Sequence, residues 1–316
     1  MAQTLYVPLN SVSDKVKKIL VSTNGLSDYA IKGYCSVGGL SKLFWNNTFT
    51  EGWQQETNIP YAFANGSAVV YQNKIHLLGG SSSPTSHYSW DGTTWVQEST
   101  MPFSFYNGSA IAFGGKIHCI GGANAGERYY TWDGTTWTQE ANLPDIWESS
   151  FSHIYLRILG LNHAVEYNGK LTLAGSNDGS NGNWQRVATL DNGSWSVNWH
   201  ALSNSSAFYS ACSYNGKIYM IGDSGTNGTK YYIWNGSAFS SGGTIPANFT
   251  TGYALEYKGN IHLLGCANNK HYAFDGTIFI EKDDIPYNGF ANCSAVVFNN
   301  KIHIFGNNTN HWSYSE

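Results

Sequence analysis

One ten-residue pattern, present in six copies, constrains this chain more than any other feature. Tyr71-Gln72-Asn73-Lys74-Ile75-His76-Leu77-Leu78-Gly79-Gly80 returns as Phe113-Gly114-Gly115-Lys116-Ile117-His118-Cys119-Ile120-Gly121-Gly122. Further copies begin at Tyr167, Tyr214, Tyr257 and Phe298, so the spacings are 42, 54, 47, 43 and 41 residues. An Ala stands three residues before each leading aromatic, and a Gly closes each copy. A second motif follows the first five copies, most clearly as Trp90-Asp91-Gly92-Thr93-Thr94-Trp95 and Trp132-Asp133-Gly134-Thr135-Thr136-Trp137. Asp-Gly or Asn-Gly between aromatic runs marks a hairpin turn. Each unit therefore holds four short strands: a with the Ala, b with the Lys-Ile-His run, and c and d around the turn.

Four strands per 40–50 residues, repeated, predict a β-propeller. A four-stranded antiparallel sheet exposes two faces, and only neighbouring blades cover both. The innermost strand is crowded at the axis, which accounts for its small Ser and Ala residues. The sixth unit reaches strand c at His311-Trp312-Ser313-Tyr314 and stops. Its missing outer strand has a source upstream, where Phe44-Trp45-Asn46-Asn47-Thr48-Phe49 and Trp53-Gln54-Gln55-Glu56 read as an orphan c–d hairpin. The expectation is an all-β, six-bladed ring over residues 44–316, closed by N-terminal residues 44–56. Whether that hairpin gives one strand or two stays open at this level.

The strand b run ending in Gly-Gly, with aromatics around a downstream turn, resembles the kelch repeat. The double glycine is intact only at Gly79-Gly80 and Gly121-Gly122. The chain has three arginines, Arg128, Arg157 and Arg186, so the arginine-rich pocket of some eukaryotic kelch proteins is missing. The resemblance implies two enzymatic comparisons. Galactose-oxidase-like relatives need copper and a cross-linked Cys–Tyr pair, and no ligand set of that kind stands out here. Sialic-acid mutarotase-like relatives need acids and arginines in a central pocket, which Glu166, Arg157 and Arg186 match only loosely.

Residues 1–43 differ from the rest. Three stretches, Tyr6–Ile19, Val21–Tyr34 and Ser36–Phe44, each read as a β-hairpin about a Gly or Asn turn. This segment resembles the small tandem modules of tail proteins from phages and prophages of Gram-positive bacteria. That implies an attachment segment with a virion or tail partner; the plainer reading is a β-ribbon packed on the propeller.

Composition excludes several classes. Charged residues make up 12% and the net charge is −4, so a nucleic-acid backbone is not an expected partner. No segment is apolar for long enough to insert into a membrane, and the first residues lack a signal-peptide pattern. Synthesis in the cytoplasm without a signal peptide, with association to a virion or tail, is the matching location. Five Cys without a Cys-x-x-Cys read as buried thiols, not as a disulfide framework or metal site. Sequons such as Asn65-Gly66-Ser67 and Asn107-Gly108-Ser109 read as turns. No cofactor motif is present.

Among candidate chemistry, His76, His118, His262 and His303 share one strand b position. The favoured role is a half-buried His bonded to a neighbouring blade, not a metal ring. Glu166 and Glu256 share a strand a position and would line the channel; with Arg186 they are the weak catalytic candidates. Asp178-Gly179-Ser180-Asn181 and Asp223-Ser224-Gly225-Thr226 are oxygen-rich but lack EF-hand spacing.

A ligand is expected on the face where the d–a and b–c connections emerge. The insertion between the second and third units carries Trp147, His153, Tyr155 and Arg157, and the neighbouring b–c segment adds Asn177, Asp178, Trp184 and Arg186. The other d–a connections contribute Phe63, Phe105, Tyr106, Tyr209, Phe249, Tyr253 and Phe290. Aromatic faces beside amides and carboxylates suit a glycan, and the same composition suits a protein surface. About half of the aromatics are expected to fill gaps between blades. The leading expectation is binding without chemistry at a cell surface. A sugar mutarotase or epimerase and an intracellular interaction scaffold are the alternatives.

Overall fold

A computed structural model describes residues 3–5, 16–22, 28–37, 40–122, 128–143, 163–176, 184–201, 208–223, 226, 228–250, 252–266, 269–286, 293–306 and 308–316. Contacts divide the chain into residues 1–54 with 314–316, and residues 55–313. The first sheet is an antiparallel meander of β1 (Gln3–Leu5), β2 (Val16–Ser22), β3 (Asp28–Val37) and β4 (Leu40–Thr50). Register shifts between Val16 and Lys18 and between Gly33 and Tyr34 bend it. One four-stranded sheet thus replaces the expected series of small hairpins. It also extends past residue 43, because β4 runs through Phe44–Phe49.

After β5 (Gly52–Gln55) come the blades. Blade one is β6 (Ser67–Tyr71), β7 (Lys74–Leu78), β8 (His87–Trp90) and β9 (Trp95–Gln97). Blade two is β10 (Gly108–Phe113), β11 (Lys116–Gly121), β12 (Tyr129–Trp132) and β13 (Trp137–Gln139). Blade three is β14 (Ala164–Tyr167), β15 (Lys170–Ser176), β16 (Trp184–Asp191) and β17 (Ser194–Ala201). Blade four is β18 (Phe208–Tyr214), β19 (Lys217–Asp223), β20 (Lys230–Trp234) and β21 (Phe239–Thr244). Blade five is β22 (Tyr253–Tyr257), β23 (Asn260–Cys266), β24 (Lys270–Phe274) and β25 (Phe279–Glu281). Blade six joins β26 (Ser294–Phe298), β27 (Lys301–Phe305) and β28 (His311–Ser315) to β5. The inner strands β6, β10, β14, β18, β22 and β26 adjoin in that order and return to β6, closing a six-bladed ring.

Only one strand is borrowed for closure. Trp53-Gln54-Gln55-Glu56 matches Trp95-Val96-Gln97-Glu98 and Trp137-Thr138-Gln139-Glu140 residue for residue at the Trp, Gln and Glu. The Glu does the same work in each blade. Glu56 accepts a 2.6 Å bond from Ser313 and pairs with Lys301 at 3.4 Å. Glu98 takes Ser89 at 2.6 Å and Lys74 at 3.9 Å; Glu140 takes Thr131 at 2.7 Å and Lys116 at 3.8 Å. Strand b Lys, strand c hydroxyl and the Glu after strand d therefore lace each of these blades from its second strand to its edge.

The repeat letters also explain how blades join. The Ser that precedes the Ala in four of the six units reaches a neighbour: Ala68 N–H donates to Ser294 Oγ at 2.9 Å, Ala164 to Ser109 at 3.0 Å and Ala254 to Ser210 at 3.0 Å. The leading Tyr reaches the next blade at the other end. The Tyr71 hydroxyl donates to the carbonyls of Gly115 (2.8 Å) and Asp133 (3.0 Å), and Tyr214 to those of Gly259 (2.8 Å) and Asp275 (3.1 Å). Each such bond stabilises by about 1 kcal/mol net, and burial of the aromatic wedges between blades adds more. At the a–b turns Asn73, Asn168, Asn215 and Asn300 hold positive φ. At the c–d turns the Asp91 carboxylate accepts the Thr93 and Thr94 N–H groups at 2.8 and 2.9 Å, which lowers its pKa to about 2.

Candidate functional site

The candidate site is the face where strands d hand over to strands a and strands b to strands c. On the opposite face the turns are near copies, whereas here the connections differ from blade to blade. The longest runs from Gln139 to Ala164 and the shortest from Cys266 to Lys270.

Much of the aromatic content of this face is packing. Phe63, Phe105 and Phe249 have no exposed surface. Each is inserted where a glycine makes room. A Cβ on Gly66 would lie 2.3 Å from the Phe63 ring, on Gly108 2.4 Å from Phe105, and on Gly252 2.4 Å from Phe249. The strand b glycine of the preceding blade supports the same wedge, since a Cβ on Gly79 would meet the Phe105 carbonyl at 1.9 Å and Gly79 holds φ +63°. The Gly80 N–H donates to that carbonyl at 2.8 Å. These three Phe therefore hold blades together and offer a ligand no surface. Tyr253 is 7% exposed and belongs with them.

Tyr106 and Tyr209 are half-buried, Tyr209 with its ring packed against the core cluster between blades four and five. Asn107 is exposed at its rim, in the positive φ its turn requires (55°), with its N–H bonded to the Asn65 carbonyl at 2.7 Å. Trp184 and Arg186 fall on β16, where Trp184 opposes Ala201 and Arg186 opposes Trp199 on β17. Trp147, His153, Tyr155, Arg157, Asn177, Asp178 and Phe290 lie outside the described residues, as does most of the Asp178 and Asp223 loops.

The weak catalytic candidates do not converge. Glu166 pairs across to Leu171 near the a–b turn, whereas Arg186 pairs to Gly175 at the far end of β15. Leu171 and Gly175 are separated by roughly 13 Å of strand. Glu166 and Glu256 are both exposed and have all of β18 between them. Glu256 accepts the Gly259 N–H at 2.8 Å and so caps its own a–b turn, on the face opposite the variable connections.

The strand b histidines correct the expectation in two respects. They are buried, not half-buried, and they bond within their own blade. His76 Nδ1 meets His87 Nε2 at 2.9 Å, His262 meets His271 at 2.8 Å, and His303 meets His311 at 2.9 Å. His118 instead meets the Tyr129 hydroxyl at 2.6 Å and faces the Phe113 carbonyl at 3.0 Å. The partners His87, His271 and His311 on strand c were overlooked in the sequence, though each stands three residues before the aromatic that opens or replaces the Trp-Asp-Gly motif. Burial pushes His76 down to about 4 and His87, His303 and His311 to about 3. Cys119, Cys212, Cys266 and Cys293 are buried thiols outside any disulfide. Among the described residues no cluster of three or more His, Cys, Asp or Glu is placed to hold a metal ion.

These features define the class: a six-bladed β-propeller whose described repeated polar residues serve packing and whose connections differ in length on one face. Among solved structures, the one described as "Structure of YjhT" matches 81% of this chain and 95% of its own, with a TM-score of 0.62 and 12% identity. At that identity the likeness speaks for the propeller fold alone. No protein-family model and no curated protein matches the chain.

Proposed function

We infer that this propeller is a binding protein without chemistry, recognising a cell-surface glycan or protein through its d–a and b–c connections. One observation carries this reading. The described recurring residues are used in bonds between and within blades, while the connections differ most in length where strands d lead to strands a and strands b to strands c. Rigid scaffolds with variable loops on one side are built for recognition. Aromatic rings beside amides read sugar faces and hydroxyls, which favours a glycan. The separation of Glu166, Glu256 and Arg186 leaves an acid–base reading without a site. The kelch-like repeat and the phage-tail likeness of residues 1–43 supply the setting we attach to it: a tail or virion appendage, with the first sheet as attachment segment.

The test is a glycan array probed with the purified labelled chain, the Tyr106→Ala and Tyr209→Ala variants, and a chain beginning at Gly52. Selective signal that is lost in the Tyr variants at unchanged melting temperature, and kept after truncation, supports the reading. Signal that follows residues 1–51 instead, or that is indifferent to both tyrosines and to Trp147 and Arg186, overturns the loop-face assignment.

A further inference from the structure

The three His–His pairs are not spread evenly around the ring. They occupy blades five, six and one, which are consecutive and centred on the blade closed by the chain ends. Blade four has Tyr219 and Tyr231 at the equivalent positions, with ring centroids 6.1 Å apart, and blade three has Thr172 and Val187. The pairs of blades one and six are each sealed by a Trp of the next blade. Trp132 stands 5.1 Å from His76 and 4.6 Å from His87, and Trp90 stands 5.3 Å from His303 and 4.7 Å from His311.

His311 acts directly on the closure. It sits on β28, the strand that receives β5. Its carbonyl accepts the Glu56 N–H at 2.8 Å, and its Nδ1 faces the Thr57 carbonyl at 3.3 Å. Every other blade has its outer strand joined to strand c by a covalent hairpin. Blade six holds its outer strand by hydrogen bonds, the Glu56 contacts and the tilted contact of the Trp53 and Tyr314 rings at 5.1 Å.

We propose that blades five, six and one form an acid-released clasp, in which protons taken up from solvent by the His–His pairs open the ring at the β28–β5 seam before the other blades unfold. The chemistry follows from counting protons. A neutral pair has one N–H between its rings. One added proton places a positive charge among aromatic rings and main chain, with little solvent to stabilise it. A second sets two N–H donors face to face at 2.9 Å, and the rings must part. Nearby charges do not cancel this. Lys301 opposes and Glu56 favours protonation in blade six, Lys74 opposes and Glu98 favours it in blade one, and Lys282 opposes it in blade five.

Blade two supplies the control, because its His118–Tyr129 pair fills the same position with a group that gains no proton in this range. The experiment labels the buried thiols of the full chain with dithiodipyridine, which reacts at acid pH, from pH 7.5 to 4, and reads each Cys by peptide mass. Cys293 beside β26 and Cys266 in β23 report the clasp, and Cys212 in β18 reports blade four. The expected order is Cys293 and Cys266 first and Cys212 later. His311→Tyr, which copies blade two, shifts the Cys293 midpoint to lower pH by roughly half a unit or more. Labelling of all sites at one midpoint overturns the proposal whatever the variant does. An unshifted midpoint in His311→Tyr, or in His87→Tyr where the first does not fold, overturns it equally.

Discussion

Replacing Phe105 by Ala separates the packing role of the loop-face aromatics from a binding role. The ring is fully buried, with the Phe103 ring 6.0 Å away edge-on and glycines 79, 108 and 122 pressed against it. The three glycines carry no side chain to fill the space on their side, so part of the cavity stays. Removing a buried Phe under such conditions costs about 3–5 kcal/mol. For a chain of 316 residues that lowers Tm by roughly 5–8 °C. Urea unfolding followed by near-ultraviolet circular dichroism gives the free energy, and the same preparation is tested for ligand binding at a temperature where it is folded. The expected result is a large loss of stability with binding kept. Tyr106→Ala, one residue on and half-buried, is expected to cost about 1 kcal/mol or less and to reduce binding. An unchanged unfolding midpoint in Phe105→Ala together with lost binding would refute the wedge assignment and return Phe105 to the ligand site.

Tyr71→Phe and Tyr214→Phe each remove a hydroxyl that bridges two turns of the next blade, and each is expected to cost about 1–2 kcal/mol. Because they serve different blade junctions the double variant should be additive within about 0.5 kcal/mol in denaturant titrations. His163 donates from Nδ1 to the Ala174 carbonyl at 2.9 Å, and burial lowers its pKa from 6.5 to about 4. Its folded form resists the proton that the unfolded chain accepts, so its contribution is complete above pH 6.5 and is lost as pH falls toward 4. His163→Gln should therefore lose less stability than the native chain between pH 7 and 4, by on the order of 3 kcal/mol in acid-dependent unfolding. A chain beginning at Gly52 should keep a cooperative melt, whereas one beginning at Asn58 lacks β5 and Glu56 and should lose it or aggregate through the bare edge of β28, as sizing chromatography will show.

The propeller was legible because each repeated letter answers a physical demand that recurs in every blade. Ala and Ser stand where inner strands crowd and must bond across the junction. Gly stands where a Phe ring or carbonyl fills the space of a Cβ, and Asp-Gly where a carboxylate ties a four-residue turn. The strand count at the closure stayed open in the sequence, although a second motif bears on it. Trp53, Gln55 and Glu56 repeat the strand d signature of Trp95 and Trp137, whereas Phe44–Phe49 carries no Asp-Gly turn to make it a strand c. Alternating apolar residues sufficed to make that stretch a strand, but not to say which sheet would take it.

Burial explains why the site was less legible than the fold. An aromatic in a d–a connection has the same letter whether it wedges between blades or stands free on the face. Phe105 and Tyr106 are adjacent in sequence and have opposite fates. The distinguishing signal lies three residues on, in the Gly that follows Phe63, Phe105 and Phe249 at one fixed interval. A Phe followed by Gly at that spacing is a wedge, because the missing Cβ is the ring's seat. The spacing marks wedges only, because Phe103 and Tyr253 lack it and are buried all the same, whereas Tyr106 lacks it and is half-buried. The histidines obey the same logic in reverse. A recurring ionisable residue invites a chemical role, yet His76, His262 and His303 recur together with a second His on strand c. Pairing at a fixed interval across a hairpin marks a packed and bonded unit. Recognition is therefore expected of residues without a counterpart in other blades, and that criterion singles out the connections around blade three.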